Sequence, residues 1–229
     1  MPEFTTILWD VDGTLLDFIY SQRYALTKCF ETIGREVNEE ILNRYSQIND
    51  SFWKRHELGE ITKEQLLTGR FLQLFEEYDI KGVDVKAFRE EYQEGLGSVY
   101  SYIDDSLTIC KSLQGRVKQY VVTNGVTSSQ LNKLKLSGFY DVMEELFISE
   151  QIGAPKPHKE YFDYCLSRIV EKDKSKILLV GDSLSSDVKG GINAGIVTCW
   201  YRPEETANST EFKPDYEISD LHQIYSILN

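Results

Sequence analysis

The fold is decided by a short stretch near the N-terminus, Ile7-Leu8-Trp9-Asp10-Val11-Asp12-Gly13-Thr14. Its three consecutive apolar residues predict a strand that is buried on both faces, as strands of parallel sheets are. Two aspartates and a glycine follow at once, so the carboxyl end of this strand carries charge. Four later apolar runs predict further buried strands: Tyr120-Val121-Val122, Leu146-Phe147-Ile148, Ile177-Leu178-Leu179-Val180 and Ile196-Val197-Thr198-Cys199-Trp200.

Helical patterns separate the later strands, at about 126–137, 158–170 and 184–194. Alternating strands and helices predict an α/β fold with a doubly wound parallel sheet. Residues 17 to about 100, after the first strand and before the second, show amphipathic helices and no strand pattern. Asn38 caps one of these helices, Thr62 and Gln65 form the capping box of the next, and Gly95 and Gly97 are expected to loosen the end of the last, from Val85 to Leu96.

Length, charge and hydropathy argue against several classes of protein. The 229 residues suit one medium domain or a core with a smaller second domain. The 25 Lys and Arg residues against 37 Asp and Glu residues give a net charge of −12, which argues against a nucleic-acid polymer or an anionic membrane surface as partner. No apolar run approaches the roughly 20 residues of a membrane-spanning helix.

Localisation is expected to be cytoplasmic. The N-terminus has no basic region ahead of an apolar stretch, so no signal peptide is predicted. The four cysteines are scattered without a Cys-X-X-Cys pair, which is typical of reduced thiols and excludes a structural zinc site. They are Cys29, Cys110, Cys165 and Cys199.

Four polar clusters lie at predicted strand ends or helix starts: Asp10 to Thr14, Thr123-Asn124-Gly125, Lys156 between two prolines, and Gly181-Asp182-Ser183 with Asp187. The carboxyl ends of parallel strands meet at one edge of the sheet, where ligands bind. The carboxylates that meet there beside one lysine repel each other, which favours a hard divalent cation such as Mg²⁺. Each cluster alone is also typical of a turn, a loop lysine or a helix cap; all four together indicate a site.

These clusters resemble the four signature motifs of the haloacid-dehalogenase-like hydrolases, across essentially the whole chain. The resemblance implies a Rossmann-like core domain in residues 1–16 and 100–229 and an inserted all-helical cap domain of type 1 in residues 17–99. Within that superfamily the chain is most similar to the pyrimidine 5′-nucleotidase branch. The longer matches are Val122-Thr-Asn-Gly-Val126, Phe147-Ile-Ser-Glu150, Lys156-Pro with Lys159-Glu-Tyr-Phe162, Gly181-Asp-Ser-Leu-Ser-Ser-Asp187, Lys189-Gly-Gly191 and Thr198-Cys-Trp200.

The resemblance implies a role for each aspartate of the motifs. Asp10 is expected to be the nucleophile that forms an aspartyl-phosphate. Asp12 is expected to be the general acid and base, and its backbone carbonyl a ligand of Mg²⁺. Asp10 and Asp182 supply carboxylate ligands, and Asp187 holds a metal-bound water.

The remaining motif residues are expected to bind the phosphoryl group. The Thr123 hydroxyl and the backbone amides of Asn124 and Gly125 contact its oxygens. Lys156 neutralises the charge that develops on those oxygens in the transition state. The resemblance therefore implies a Mg²⁺-dependent phosphatase whose substrate is a small-molecule phosphate monoester.

In the helical insertion, four residues are candidates for contact with the leaving group. Asn49 and Arg70 are expected to contact a base edge or a ribose, and Phe18 or Trp53 to stack on a ring. Two of them also fit ordinary roles, Trp53 as a core residue and Arg70 as a surface ion pair. With these contacts the predicted substrates are pyrimidine nucleoside 5′-monophosphates.

Three other functions stay open at this stage. A phosphoglycolate or sugar-phosphate phosphatase would use the same chemistry, and so would a phosphomutase of the β-phosphoglucomutase kind, which returns the phosphoryl group to its substrate. A phospho-acceptor signalling module also surrounds Mg²⁺ with acidic residues, Thr and Lys, but such modules are about half as long and lack an insertion after the first strand. The sequence leaves the oligomeric state open.

Overall fold

A parallel sheet lies at the centre of the structure, a computed structural model that describes residues 4–203, 208 and 210–228. Its strands are β1 (Thr6–Trp9), β2 (Lys118–Thr123), β3 (Glu145–Ile148), β4 (Ile177–Gly181), β5 (Val197–Tyr201) and β6 (Tyr216–Ile218). The spatial order is β3-β2-β1-β4-β5-β6, so the first strand lies in the middle. Trp9, the last residue of β1, pairs with Val121 on one side and with Val180 on the other. The ends of β1, β2 and β4 therefore meet at one edge.

Both faces of the sheet are covered by apolar clusters, as continuous apolar strands predict. Ile7 and Trp9 belong to one buried cluster and Leu8 to the other, because successive side chains of a strand point to opposite faces. The helices outside the insertion are α5 (Ser106–Leu113), α6 (Thr127–Leu136), α7 (Ser149–Ile152), α8 (Lys159–Arg168), α9 (Lys189–Ala194) and α10 (Ile224–Leu228). The predicted doubly wound α/β fold is confirmed. The edge strand β6 was not predicted, since it has three residues and exposes Glu217.

The insertion between β1 and β2 is helical, as predicted. It consists of α1 (Phe18–Thr32), α2 (Glu39–Glu57), α3 (Lys63–Glu77) and α4 (Val85–Ser98), and the capping box of Thr62 and Gln65 is formed. These helices enclose an apolar cluster of their own, in which Phe71 stacks on Tyr45. All buried members of that cluster lie between Ala25 and Leu96. This separate core supports the proposed division into a cap domain at 17–99 and a core domain at 1–16 and 100–229.

The end of α4 differs from the prediction. Gly95 and Gly97 lie inside the helix and do not loosen it, because both allow close packing. A Cβ at Gly95 would lie 2.8 Å from the Cβ of Ala25 in α1, and one at Gly97 would lie 3.1 Å from the Cα of Ser129 in α6. The two glycines therefore bring α4 against one helix of the cap and one of the core.

Two further expectations concern the whole chain. In the described ranges, no helix combines the length and the apolar character that a membrane crossing requires. The four cysteines are buried and none is in a disulfide.

Candidate active site

A cavity of about 210 Å³ lies where the edge of the sheet meets the helical cap. Eleven of the twelve predicted site residues line it: Asp10, Asp12, Thr123, Asn124, Gly125, Lys156, Asp182 and Asp187 from the core, and Phe18, Asn49 and Trp53 from the cap, with only Arg70 of the predicted set absent from the walls. Asp10 follows β1, Thr123 ends β2 and Asp182 follows β4, so the register of the sheet brings these three side chains together.

Lys156 is the centre of the charged cluster. Its ammonium group lies 2.5 Å from Oδ1 of Asp10 and 2.7 Å from Oδ1 of Asp187, and it donates to the carbonyl of Val122 at 3.0 Å. The residue is 2 % exposed. Burial lowers the pKa of Lys156, but the two carboxylates outweigh that effect and raise it. The side chain is therefore a cation that is held by groups at the ends of β1 and β2 and in the turn after β4.

The carboxylates of Asp10, Asp182 and Asp187 form a group that fits a metal ion. One oxygen from each lies within 4.8 Å of the others. Burial raises the pKa of Asp10 to about 7, Lys156 opposes the rise, and the charge of Asp187 adds to it. One ammonium group leaves two of the three negative charges uncompensated when all are ionised. An oxygen-only donor set with this excess of charge suits Mg²⁺.

Gly13 allows the backbone to approach this acidic group. Its φ of +89° lies in the left-handed region that glycine favours. A Cβ at this position would lie 2.6 Å from Oδ2 of Asp182. Any side chain here would occupy the space beside the carboxylates, so the glycine keeps the group open to a ligand.

Asp187 is positioned by a wide turn. The predicted helix 184–194 begins as a π-helical turn, Leu184–Val188, and continues as α9. Oδ2 of Asp187 accepts a hydrogen bond from the backbone N–H of Ser183 at 3.2 Å, and its carboxyl group packs so close to Gly181 that a Cβ there would lie 2.3 Å from Cγ. The turn thereby brings Asp187 onto Lys156. Such π-helical insertions occur frequently at functional sites.

The Thr123-Asn124-Gly125 turn is joined to the Lys156 loop by a side chain. Oδ1 of Asn124 accepts from the backbone N–H of Lys156 at 2.8 Å, and its Nδ2 donates to the Lys156 carbonyl at 2.9 Å. The Gly125 N–H donates to Oγ1 of Thr123 at 3.0 Å. These bonds fix the two loops against each other beside Asp10.

Asp12 is held by two residues that the sequence analysis missed. Nε2 of Gln130 donates to its Oδ2 at 2.6 Å, and the ammonium group of Lys133 pairs with its Oδ1. Lys133 is 1 % exposed. A sequence signal for them exists: both follow the Thr-Asn-Gly turn on α6 at i and i+3, which places them on one helix face.

One face of α2 forms the cap side of the cavity. Asn49 and Trp53 were predicted there, whereas Asp50 and Glu57 were missed, although positions 50, 53 and 57 have the spacing of one helix face. Phe18, at the start of α1, completes this wall. The wall combines two aromatic rings, one amide and two carboxylates.

The structure corrects the prediction for Arg70. It is not among the residues that line the cavity, and its buried side chain is not a surface ion pair either. It is 1 % exposed, and its Nη1 donates to Oδ1 of Asn49 at 2.6 Å. Its guanidinium lies 4.9 Å from the ring centre of Phe71 and 5.0 Å from that of Tyr92. The apolar face of α3 carries Arg70 inward, where it supports Asn49.

Two polar contacts close the cap onto the core beside the cavity. Nζ of Lys63 in α3 donates to the carbonyls of Asn124 at 2.8 Å and Gly125 at 3.1 Å, and burial lowers the pKa of Lys63 to about 8. On the other side, the hydroxyl of Ser185 donates to Glu57 in α2. The cap therefore contacts the core both at the Thr123-Asn124-Gly125 turn and at the turn that carries Asp187.

The fold and the site define a class of enzyme. Residues 4–195 match the family of hydrolases described as haloacid dehalogenase-like hydrolase, and the chain belongs to this family. It is 36 % identical over 229 residues to HAD-hydrolase YfnB of Bacillus subtilis, covering 100 % of this chain and 97 % of the relative. The crystal structure of YfnB bound to magnesium matches with a TM-score of 0.95 over 100 % of both chains.

Two further relatives carry the name pyrimidine 5′-nucleotidase. PynA of Streptococcus pneumoniae is 33 % identical over 97 % of this chain and 94 % of its own length. YjjG of Escherichia coli is 30 % identical over 97 % of this chain and 96 % of its own length. The family resemblance inferred from the motifs is confirmed.

The pair of Asp12 and Lys133 gives a test of the site's electrostatics. Asp12→Ala leaves the buried ammonium group of Lys133 without its carboxylate, which should lower the free energy of unfolding by about 3 kcal/mol. Lys133→Met in the same chain removes the stranded charge and should restore most of that loss. Urea unfolding of wild type, both single variants and the double variant measures the coupling. Strictly additive effects would show that the two charges do not interact.

Proposed function

We propose that the protein is a Mg²⁺-dependent phosphatase that acts through an aspartyl-phosphate on Asp10, and that its substrates are pyrimidine nucleoside 5′-monophosphates. One observation carries the proposal: a single cavity joins Asp10 and Asp12 of the core to Phe18, Asn49 and Trp53 of the cap. The core side suits a phosphoryl group and the cap side suits a planar ring with polar edges.

In the proposed reaction Asp10 is the nucleophile and Asp12 transfers the proton. A carboxylate oxygen of Asp10 forms a bond to phosphorus while the bond from phosphorus to the ester oxygen breaks. The carboxyl group of Asp12 gives a proton to the leaving oxygen. Water then attacks phosphorus, Asp12 takes back a proton, and inorganic phosphate leaves with Asp10 restored. A second aspartate two residues after the nucleophile supports hydrolysis of a phosphate ester, because the leaving alkoxide needs a proton.

Other groups of the site would bind the phosphoryl oxygens and balance their negative charge. The Thr123 hydroxyl and the backbone N–H groups of Asn124 and Gly125 line the same cavity as Asp10 and would donate to those oxygens, with the Gly125 N–H exchanging its bond to Oγ1 of Thr123 for one to the phosphoryl group. Lys156, already within 2.5 Å of Asp10, would balance charge on the transferring group. The bonds between Asn124 and Lys156 keep these donors in place before substrate binds.

The acidic group supports binding of Mg²⁺. Asp10, Asp182 and the backbone carbonyl of Asp12 would hold the ion, and Asp187 would hold one of its waters. When bound, the ion supplies the positive charge that lets a carboxylate approach a phosphate. The magnesium in the crystal structure of the relative YfnB supports this assignment.

The cap side supports a nucleoside as leaving group. Phe18 and Trp53 offer ring faces to the cavity, and Asn49 offers an amide. The names of the relatives PynA and YjjG point to the same substrate class. Phosphoglycolate and sugar phosphates have no aromatic face to stack, which disfavours a phosphoglycolate or sugar-phosphate phosphatase and a phosphomutase. Membership of a hydrolase family disfavours a signalling module.

Removal of the nucleophile should abolish turnover. Asp10→Asn keeps the shape of the side chain but cannot attack phosphorus, so activity should fall by several powers of ten. Asp12→Asn should slow turnover strongly, because an amide cannot transfer the proton. Release of inorganic phosphate from p-nitrophenyl phosphate measures both, with the exposed Asp141→Asn as a matched control. An Asp10→Asn enzyme that retains more than about a thousandth of the activity would contradict the assignment.

Activity should depend on magnesium. A chelator should remove it and added Mg²⁺ should restore it, whereas Ca²⁺ should inhibit because of its larger and looser coordination shell. Asp182→Ala should raise the Mg²⁺ concentration needed for half-maximal activity. Full activity in excess EDTA, with no metal retained by the protein, would disprove a metal-dependent mechanism.

A panel of phosphate esters tests the substrate class. UMP and CMP should have a higher kcat/KM than glucose phosphates, glycerol phosphate or phosphoglycolate. Loss of one stacking ring typically costs about 1–3 kcal/mol, so Trp53→Ala should weaken nucleotide turnover much more than turnover of p-nitrophenyl phosphate. If a sugar phosphate or phosphoglycolate is preferred about tenfold over every nucleotide, a preference worth roughly 1.4 kcal/mol, the nucleotidase proposal is wrong.

A further inference from the structure

The amide of Asn49 is a buried donor without a partner. Asn49 lines the cavity and is 1 % exposed, and its Nδ2 makes no hydrogen bond to any residue that the structure describes. A buried polar group left unpaired destabilises the folded protein. A donor kept at this cost beside a substrate cavity indicates a ligand group that accepts from it.

Arg70 determines which way this amide faces. A guanidinium group has only donors, so the atom of Asn49 that lies 2.6 Å from Nη1 must be the carbonyl oxygen. The N–H₂ end therefore points away from Arg70. Asn49 lines the cavity and Arg70 does not, so the amide end turned away from Arg70 is the one available to a group bound in the cavity. The rings of Phe71 and Tyr92 against the guanidinium restrict its movement and hold this orientation.

Asp50 places an acceptor beside this donor. Its carboxylate lines the same cavity and is exposed to it. Asp50 follows Asn49 directly in α2, so the two side chains start from neighbouring positions on the cavity wall, and burial raises the pKa of the Asp50 carboxyl. The cavity thus presents an N–H₂ donor and a carboxylate acceptor side by side on α2, with the ring of Trp53 one helical turn further on.

Such a pair is complementary to the edge of a pyrimidine base. Uracil and thymine have a carbonyl oxygen next to the N3–H, and cytosine has N3 next to its amino group; each places an acceptor beside a donor. Resting on the proposed nucleotidase function, we infer that Asn49 and Asp50 recognise this edge of the base, Asn49 by donating and Asp50 by accepting. Arg70 is the positioning residue that orients Asn49.

Modified nucleotides distinguish the contribution of the base edge to turnover from that of the aromatic ring face. In 3-methyluridine 5′-monophosphate the N3–H is blocked and the aromatic face is kept, whereas in 5,6-dihydrouridine 5′-monophosphate the edge is kept and the aromatic face is lost. Ribose 5-phosphate has no base. Wild type should turn over UMP with a kcat/KM at least about tenfold above that of the 3-methyl compound, since one hydrogen bond to a charged acceptor is lost. The dihydro compound should retain more activity than the 3-methyl compound.

Variants then test which residues recognise the edge of the base. Asn49→Leu should lower kcat/KM for UMP about tenfold more than for ribose 5-phosphate, mainly through KM. Arg70→Met should reproduce this selective loss, Arg70→Lys should restore part of it, and the double variant with Asn49→Leu should add nothing further. The exposed Asn43→Leu on the same helix is the matched control and should leave UMP turnover unchanged.

The outcomes distinguish this inference from the function on which it rests. If wild type prefers ribose 5-phosphate to UMP, the nucleotidase proposal fails. If UMP is preferred but the 3-methyl compound is turned over equally well, or Asn49→Leu lowers UMP and ribose 5-phosphate turnover equally, the inference fails while the nucleotidase proposal stands. Should the variants not fold, the comparison of the three nucleotides on wild type decides alone.

Discussion

The rest of the structure depends on one buried cation. The ammonium group of Lys156 contacts Asp10 after β1, the carbonyl of Val122 in β2 and Asp187 in the turn after β4. Buried charges are stable only when they are paired and hydrogen-bonded. The ends of three neighbouring strands are therefore tied to a single side chain, and the parallel order of the sheet is what lets them reach it. The backbone of Lys156 is in turn fixed by Asn124.

The core side and the cap side of the cavity differ in chemistry. The core side holds more carboxylates than the lysine can neutralise, and this excess suits a divalent ion and a phosphoryl group. The cap side carries rings and polar groups on one face of α2. Because Lys63 and Glu57 contact the core beside the cavity, cap and core are placed together and not independently. Under this account, sequence changes on that face of α2 alter the substrate while the chemistry of the core is kept.

The sequence predicted the parts of the fold that depend on local pattern. Continuous apolar strands and polar residues at their ends are local, and both were predicted with the sheet edge as the site. Contacts between distant segments were not predictable in this way. Lys133 looks like an ordinary surface lysine of a helix until α6 packs beside Asp12. Arg70 has a charged side chain in a helix, and only the packed cap shows that it lies inside. Gly95 is a helix breaker by propensity, yet close packing on α1 retains it within the helix.

The central claim is that the carboxylate of Asp10 receives the phosphoryl group. The direct test is to mix the enzyme with UMP and Mg²⁺, quench the mixture within one turnover, and reduce it with borohydride, which converts an acyl phosphate of aspartate to homoserine. Mass spectrometry of the peptide that contains residue 10 should then show homoserine at that position, and omission of substrate should leave aspartate. Homoserine in place of a different aspartate, or no homoserine at any position although phosphate is released, would contradict the account.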